Sequence, residues 1–269
     1  LGDHYKKIPI GPDLTPAQRE QISNVLAETR EAFEVSSLDL GMVDKFVCRI
    51  KLKDEGLSIY EKPRPCRSSL REAGKQVLKT WLDMKVIQPN GSRHSIPLFF
   101  VKKACGAARP VIEARLLNHH TEDYHWPVPN LKDILSDVSQ KIAKSEKIYM
   151  SLTDVKSAFN QVRIDEKDQD KVSFAFENVQ YTASRLMFGL KQSPAIFSEL
   201  MWRITKDIPG IYVLMDDCLL LSDSFEGHLS QLRKFLRRMI EFGITLKVAK
   251  TSICAEDFSY LGFRVTRHG

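Results

Sequence analysis

Between Ile211 and Leu221 the chain reads Ile-Tyr-Val-Leu-Met-Asp-Asp-Cys-Leu-Leu-Leu, a run of strand-forming apolar residues broken by Asp216 and Asp217. Such a run folds as a buried β-hairpin. Burying an ionised carboxylate costs several kcal/mol unless charge or hydrogen bonds compensate it, and two adjacent carboxylates cost more. Two solutions satisfy the physics. Asp favours turns, so the pair can form a solvated hairpin tip. Alternatively the pair faces a bound cation, for which carboxylate oxygens are suitable ligands.

Composition narrows the setting. The 269 residues are 43% apolar and 9% aromatic, enough for a substantial core in one or two domains, and the apolar runs are far shorter than a membrane span. No membrane partner is expected. The formal charge of +6, with 40 Lys and Arg residues spread along the chain, points to an anionic partner held in a channel. Five cysteines, at 48, 66, 105, 218 and 254, form no C-x-x-C pair and read as reduced intracellular thiols. The chain opens on Leu1 without a signal or transit sequence, so a piece of a longer, intracellular product is expected.

Thr15-Pro-Ala-Gln18 has the form of a capping box and predicts a helix over about residues 16 to 34. A second box, Ser69-Leu-Arg-Glu72, opens a helix carrying Val77, Leu78, Trp81 and Leu82. Residues 96–101 and 109–113 read as a hairpin around a basic loop, 131–138 as a helix, and 148–155 as a strand with Asp154 near its end. A turn divides 174–176 from 180–182, and residues 187–194 lead into a helix reaching about 206. Leu229, Leu232, Phe235, Leu236, Met239 and Ile240 form an apolar helical stripe, and Arg233, Lys234, Arg237 and Arg238 on its other face read as solvated. Residues 258–265 read as strands around Gly262. Helices interspersed with hairpin-linked strands, without regular β-α-β alternation, define an α+β class.

Asp154 precedes Asp216 by 62 residues, so the two meet only if their strands share a sheet. That juxtaposition makes a carboxylate cluster suited to Mg²⁺, which needs few protein carboxylates when substrate phosphates complete its shell. His94, His119, His120 and His125 lack the companion ligands of a zinc site. Asp165, Glu166, Asp168 and Asp170, mixed with lysines, read as a solvated turn.

Five segments in this order resemble the motifs of reverse transcriptases, above all those of gypsy-type LTR retrotransposons and more distantly those of retroviruses. They are Lys102-Lys103 with Arg109, Arg115 and Leu117-Asn118; Leu152-Thr-Asp-Val-Lys-Ser-Ala-Phe-Asn-Gln-Val162; Phe188-Gly-Leu-Lys-Gln-Ser-Pro-Ala-Ile-Phe197; Leu214-Met-Asp-Asp217; and Tyr260-Leu-Gly-Phe263. An ordered set is far more specific than any one motif. The resemblance implies a right-hand polymerase fold with fingers and palm, an antiparallel palm sheet packed on helices, and no thumb within the sequence. Residues 1–45 are then an N-terminal linker with one helix, and 46–269 the reverse transcriptase domain. Its fingers span about 46–122 and 163–192, and its palm about 123–162 and 193–269.

The implied activity is RNA-directed DNA polymerisation, also DNA-templated, extending a primer 3′-hydroxyl with dNTPs. By resemblance Asp154, Asp216 and Asp217, with Val155, hold two Mg²⁺ ions, for which Mn²⁺ can substitute. Two-metal sites place such ions roughly 3.5 to 4 Å apart. Lys250 is the implied proton donor to the leaving pyrophosphate, against the alternative of a surface lysine. Lys103 and Arg109 grip the triphosphate, with Lys102 the adjacent competitor, where the residues alone describe a charged hairpin tip. Phe159 walls off a 2′-hydroxyl, where the residue alone reads as core. Phe188 and Met215 contact the nucleotide, and Gly189 lets backbone approach it. Gln192 and Pro194 shape the template side, and the segment around Gly262 holds the primer by its phosphates.

Three departures stand out. Leu214 occupies a position where the family has tyrosine, Ala104-Cys-Gly-Ala-Ala108 replaces a loop with Asp-Gly, and Glu113-Ala-Arg115 replaces Asp-Tyr-Arg. Implied partners are primed RNA or DNA template, dNTP, and the thumb, ribonuclease H and integrase regions of one Pol polyprotein. The implied setting is cytoplasmic, within virus-like particles. The alternative reading is a catalytically impaired remnant that still binds nucleic acid.

Overall fold

The computed structural model describes residues 2–102, 108–260 and 263–266. Its helices are α1 (Pro16–Glu28), α2 (Ser68–Asp83), α3 (Arg115–His120), α4 (Leu131–Lys144), α5 (Ser193–Thr205) and α6 (Phe225–Phe242). The first strands are β1 (Val43–Cys48), β2 (Ile87–Pro89), β3 (Leu98–Lys102), β4 (Ala108–Ile112), β5 (Tyr149–Asp154) and β6 (Val162–Ile164). They are followed by β7 (Ser173–Phe176), β8 (Val179–Ala183), β9 (Ile211–Leu214), β10 (Asp217–Ser222), β11 (Asp257–Tyr260) and β12 (Phe263–Thr266). The α+β class read from the sequence is the one observed. Among the described residues, no helix is long and apolar enough to cross a membrane.

The chain divides into two compact units. One comprises Leu1–Met42, Trp126–Ala158 and Phe197–Gly269, the other Val43–His125 and Phe159–Ile196.

In the first unit an antiparallel sheet of order β5-β10-β9 lies at the centre. Antiparallel partners point to the same face, and alternate residues to opposite faces. Leu219 and Leu221 therefore join Met150 on one face, where they bury with Ile134, Val138 and Ile142 of α4 and with Tyr260, and Leu214 packs against this core. On the other face Tyr149 meets Phe225 of α6 at a ring separation of 5.8 Å, and Ser151 Oγ lies 2.7 Å from His228 Nε2.

The segment expected to be a linker contributes to this packing. Ile22, Val25 and Leu26 of α1 are buried, and isolated bridges tie Ile10 to Ile253 and Phe33 to Leu246. The Thr15 capping box forms as expected, with Gln18 N donating to Thr15 Oγ1 at 3.2 Å. The helix ends at Glu28, short of the expected residue 34, because the chain tightens through the 3₁₀ turn Arg30–Ala32 to deliver Phe33 in extended form to its bridge. The basic face of α6, expected to be solvated, is paired. Arg233 and Arg237 lie 3.3 and 3.6 Å from Glu28, and Lys234 and Arg238 lie 3.1 and 2.9 Å from Asp207. These pairs remain exposed enough to contribute at most about 1 kcal/mol each.

In the second unit β3 and β4 form the expected hairpin, with Val101 opposite Arg109, and β2-β8-β7 form a three-stranded antiparallel sheet. The β7–β8 turn is Glu177-Asn178, both at positive φ, as the primed hairpin turns require. The expected box at Ser69 does not form. Helix α2 starts at Ser68, with Arg67 at its cap giving no side-chain bond, so Ser69 is already helical and Glu72 pairs with Lys75 at 2.9 Å instead.

The acidic loop at 165–170 is also more than a solvated turn. The Asp168 side chain is 2% exposed and accepts from Arg49 Nε at 2.6 Å, the Ile50 amide at 3.0 Å and Lys171 Nζ at 2.7 Å. Cys48, Cys218 and Cys254 are buried and Cys66 half-buried, all free thiols. Cys105 lies outside the described residues.

Candidate functional site

The hairpin that carries the aspartate pair turns at Met215 and Asp216, not at the pair itself. Leu214 faces Asp217, which already belongs to β10 and is registered opposite Asp154 of β5. Met215 takes φ 55°, the positive φ that primed two-residue turns demand, although it is not glycine. The Val155 amide donates to the Asp216 carbonyl at 2.7 Å, tying the turn to the end of β5. Val155 is buried and offers a metal only its carbonyl.

Charge is concentrated at this end of the sheet. Asp154 is buried, Asp216 and Asp217 half-buried. Burial, then the neighbouring charges of Asp216 and Asp154, pushes the Asp217 carboxyl above its ordinary value, while Lys250 and Lys247 oppose the rise. Lys250 Nζ donates to Asp154 Oδ2 at 2.7 Å. That hydrogen bond outweighs burial and holds the Lys250 ammonium above its ordinary value, aided by the charges of all three aspartates. Lys247 Nζ lies 2.6 Å from Asp154 Oδ1, but out of hydrogen-bond alignment, so this buried oxygen has no hydrogen-bond partner. The sequence reading anticipated Lys250 and missed Lys247.

As they stand, among the described residues, no three His, Cys, Asp or Glu side chains converge to hold a metal ion. Asp154 is instead paired with two ammonium groups. The donor set nevertheless fits a hard divalent cation. It is all oxygen, it includes a buried carboxylate oxygen without a hydrogen bond, and the charges of Asp216 and Asp154 help to raise the Asp217 carboxyl.

Lys102, Arg109, Phe159, Phe188, Gly189 and Gln192 lie in the second unit. Phe159 is buried, with its ring 4.7 Å from that of Phe188, which is 60% exposed. Gly189 adopts φ 97°, and Asn118 holds its loop by donating to the Gly189 carbonyl at 2.8 Å and accepting from the Lys191 amide at 2.9 Å. Lys102 and Arg109 are exposed at the ends of β3 and β4. Lys103 lies outside the described residues, as does Gly262. Arg115 grips Glu113 through two hydrogen bonds of 2.6 and 2.9 Å, so the glutamate variant of that motif keeps its pair. Gln192 is buried and donates to the Arg49 carbonyl at 3.1 Å, which leaves it a packing role. His94 is buried and accepts from the Ile59 amide at 3.2 Å.

Residues 101–265 match the reverse transcriptase (RNA-dependent DNA polymerase) family, and the chain belongs to it. Members of that family use divalent metal ions. The enzymatic polyprotein of cauliflower mosaic virus (strain Strasbourg) is 30% identical over 223 residues, covering 80% of this chain and 32% of that protein. The retrovirus-related Pol polyprotein from transposon 412 of Drosophila melanogaster is 28% identical over 262 residues, 93% of this chain and 20% of that protein. The chain thus spans a third or less of the length of these relatives. Among solved structures, the foamy viral protease-reverse transcriptase in complex with RNA/DNA hybrid superposes with a TM-score of 0.84 at 20% identity, over 99% of this chain and 35% of that one. The fold is therefore the fingers-and-palm fold expected from the sequence.

Proposed function

We propose that this chain is the polymerising part of a retrotransposon Pol polyprotein, extending a primer 3′-hydroxyl with dNTPs on an RNA or DNA template. The observation that carries the reading is the register of β5 and β10, which sets Asp154 opposite Asp217 with Asp216 in the adjoining turn. The unit holding these residues is read as palm and the other as fingers.

Asp154, Asp216 and Asp217, with the Val155 carbonyl, would hold two Mg²⁺ ions, or Mn²⁺ in their place. When bound, such ions acidify the primer hydroxyl and neutralise the triphosphate. The protein's own residues do the rest. The antiparallel ladder fixes the backbone positions of Asp154 and Asp217 before substrate arrives, and the side chain of Asp154 exchanges its lysine partners for the ions. Lys250, with 57% of its side chain exposed, can carry a proton to the leaving pyrophosphate once it is released from Asp154. Lys103 and Arg109, with Lys102 beside them, would bind the β and γ phosphates through charge-assisted hydrogen bonds. Phe159, backed by Phe188, offers a wall without polar groups against which a ribose 2′-hydroxyl finds no partner. Met215 at the hairpin tip and Phe188 are the apolar contacts for the nucleotide. The proposed setting is cytoplasmic, within virus-like particles, with thumb, ribonuclease H and integrase regions of the same polyprotein as proposed partners.

The test is primer extension on an RNA template with dNTPs and Mg²⁺, comparing the chain with Asp216→Asn. Removing this preorganised charge should cost at least about a hundredfold in rate. Extension unchanged by the substitution would sink the assignment. The impaired-remnant reading draws on one observation, the commitment of Asp154 to two lysines. Primer-template binding by fluorescence anisotropy without any extension would favour it.

A further inference from the structure

Lys247 caps the tight 3₁₀ turn Val248–Lys250, whose last residue is Lys250. Both ammonium groups reach the carboxylate of Asp154. The backbone places them there. Leu246 forms an antiparallel bridge with Val155, and the Lys247 amide donates to the Asp154 carbonyl at 2.9 Å. Lys247 is thereby anchored to the residue that its own side chain meets. Its Nζ lies 2.6 Å from Asp154 Oδ1 while Lys250 Nζ lies 2.7 Å from Oδ2, and the Asp154 side chain is 2% exposed. Each carboxylate oxygen is covered by an ammonium.

The two contacts differ in kind. Lys250 makes a charge-assisted hydrogen bond, whereas Lys247 contributes proximity without alignment and leaves Oδ1 without a hydrogen bond. Misalignment forfeits the directional part of the interaction but not the Coulomb part. Lys247 is therefore the contact that a competing cation displaces more easily, at the oxygen that gains more from a new ligand.

We infer that Lys247 is a tethered counter-cation at Asp154 Oδ1 that a divalent ion must displace, so that this residue sets the cation concentration the site requires. The inference rests on the reading of the three aspartates as a metal site. Tethering gives the ammonium a high effective concentration that does not fall when the protein is diluted. It also stabilises the ion-free protein, since three carboxylates would otherwise crowd one sheet end against a single ammonium. Neutralising Lys247 raises the excess negative charge there, which strengthens attraction for a divalent ion and strains the ion-free state. Lys247 is a positioning residue, since it acts by holding Asp154.

The experiment measures Mn²⁺ binding to the whole chain without nucleotide, following the electron paramagnetic resonance signal of free Mn²⁺. Lys247→Gln should bind Mn²⁺ about 3- to 30-fold more tightly than the unmodified chain, a range set by ion pairs between the solvated and buried limits. Lys247→Arg, which keeps the charge, should retain the native affinity, and Asp154→Asn should abolish the site. In EDTA, Lys247→Gln should melt below the unmodified chain and gain more in Tm on Mn²⁺ addition. Mn²⁺ affinity in Lys247→Gln equal to or weaker than native overturns the inference while the metal-site reading stands. Binding that does not depend on Asp154 in any variant overturns both.

Discussion

Asp168→Asn is predicted to remove about 3 kcal/mol from the stability of the unit that contains it. Both Asp168 oxygens are engaged, Oδ2 by Arg49 and the Ile50 amide and Oδ1 by Lys171, and the Lys171 side chain is only 6% exposed. The amide variant keeps the shape but strands a buried ammonium, a change that typically costs about 3–5 kcal/mol. Two features place the expectation at the lower end. Lys171 retains the Ile50 carbonyl at 2.7 Å and Glu55 at 2.8 Å, and Arg49, 48% exposed, can turn to water.

The pH dependence gives a second readout. Burial works to raise the Asp168 carboxyl, but Arg49, Lys171 and the Ile50 amide outweigh it and hold it below its ordinary value. A depressed carboxyl contributes stability that is present above the unfolded pKa and lost as pH falls through the folded one. The unmodified chain should therefore lose this contribution below about pH 4, and the variant should lack that part of the decline. Urea denaturation can be followed in a Trp126→Phe, Trp202→Phe background. This leaves Trp81, 6.3 Å from the Phe174 ring in the same unit, as reporter. A cost under about 1 kcal/mol, the value of a solvated pair, with an unaltered acid limb, would refute the reasoning.

Gly189→Ala should destabilise the same unit by about 1–3 kcal/mol, because the residue sits at φ +97° and a Cβ there would lie 2.9 Å from the Ile112 carbonyl oxygen. Urea midpoints in the Trp81 background check it, and an unchanged midpoint contradicts the strain. His228 is buried and its pKa is pushed down to about 4, by burial first and then by Lys141. Since the unfolded imidazole protonates first, stability should be whole above about pH 6.5 and decline toward pH 4 by on the order of 3 kcal/mol. His228→Gln should flatten that slope in circular-dichroism melts, and a slope that survives assigns it to other groups. Phe159→Val should lower the dNTP:rNTP preference in primer extension by about tenfold or more, and an unchanged ratio rejects the wall.

Legibility in the sequence followed the range of the interactions. The β3–β4, β7–β8 and β9–β10 hairpins were readable because alternation and turn residues lie within a few positions of each other. The Asp pair was readable as an electrostatic anomaly, but not its turn, because the register is set by Asp154 and moves Asp217 into the strand. Asp168 was misread as solvated because its partner Arg49 lies 119 residues away and nothing local announces it. Glu28 and Asp207 were unreadable as partners of α6 for the same reason. Lys247 had no local signal, because its position beside Asp154 is set by the bridge between Leu246 and Val155, some 90 residues apart. The box at Ser69 failed by one residue, a shift that periodicity cannot resolve.

The bridge between Ile10 and Ile253 has a consequence for biosynthesis. The unit that holds the aspartates is assembled from three stretches of chain, and Ile10 must wait for a partner 243 residues downstream. At ribosomal speeds of about 5–20 residues per second, that interval is roughly 10 to 50 s. During it α1, with Ile22, Val25 and Leu26, has not yet met α6. Nascent chains should therefore be most vulnerable to aggregation and to chaperone capture before α6 is made, and synonymous slow codons placed ahead of residue 225 should lower soluble yield without altering a single side chain.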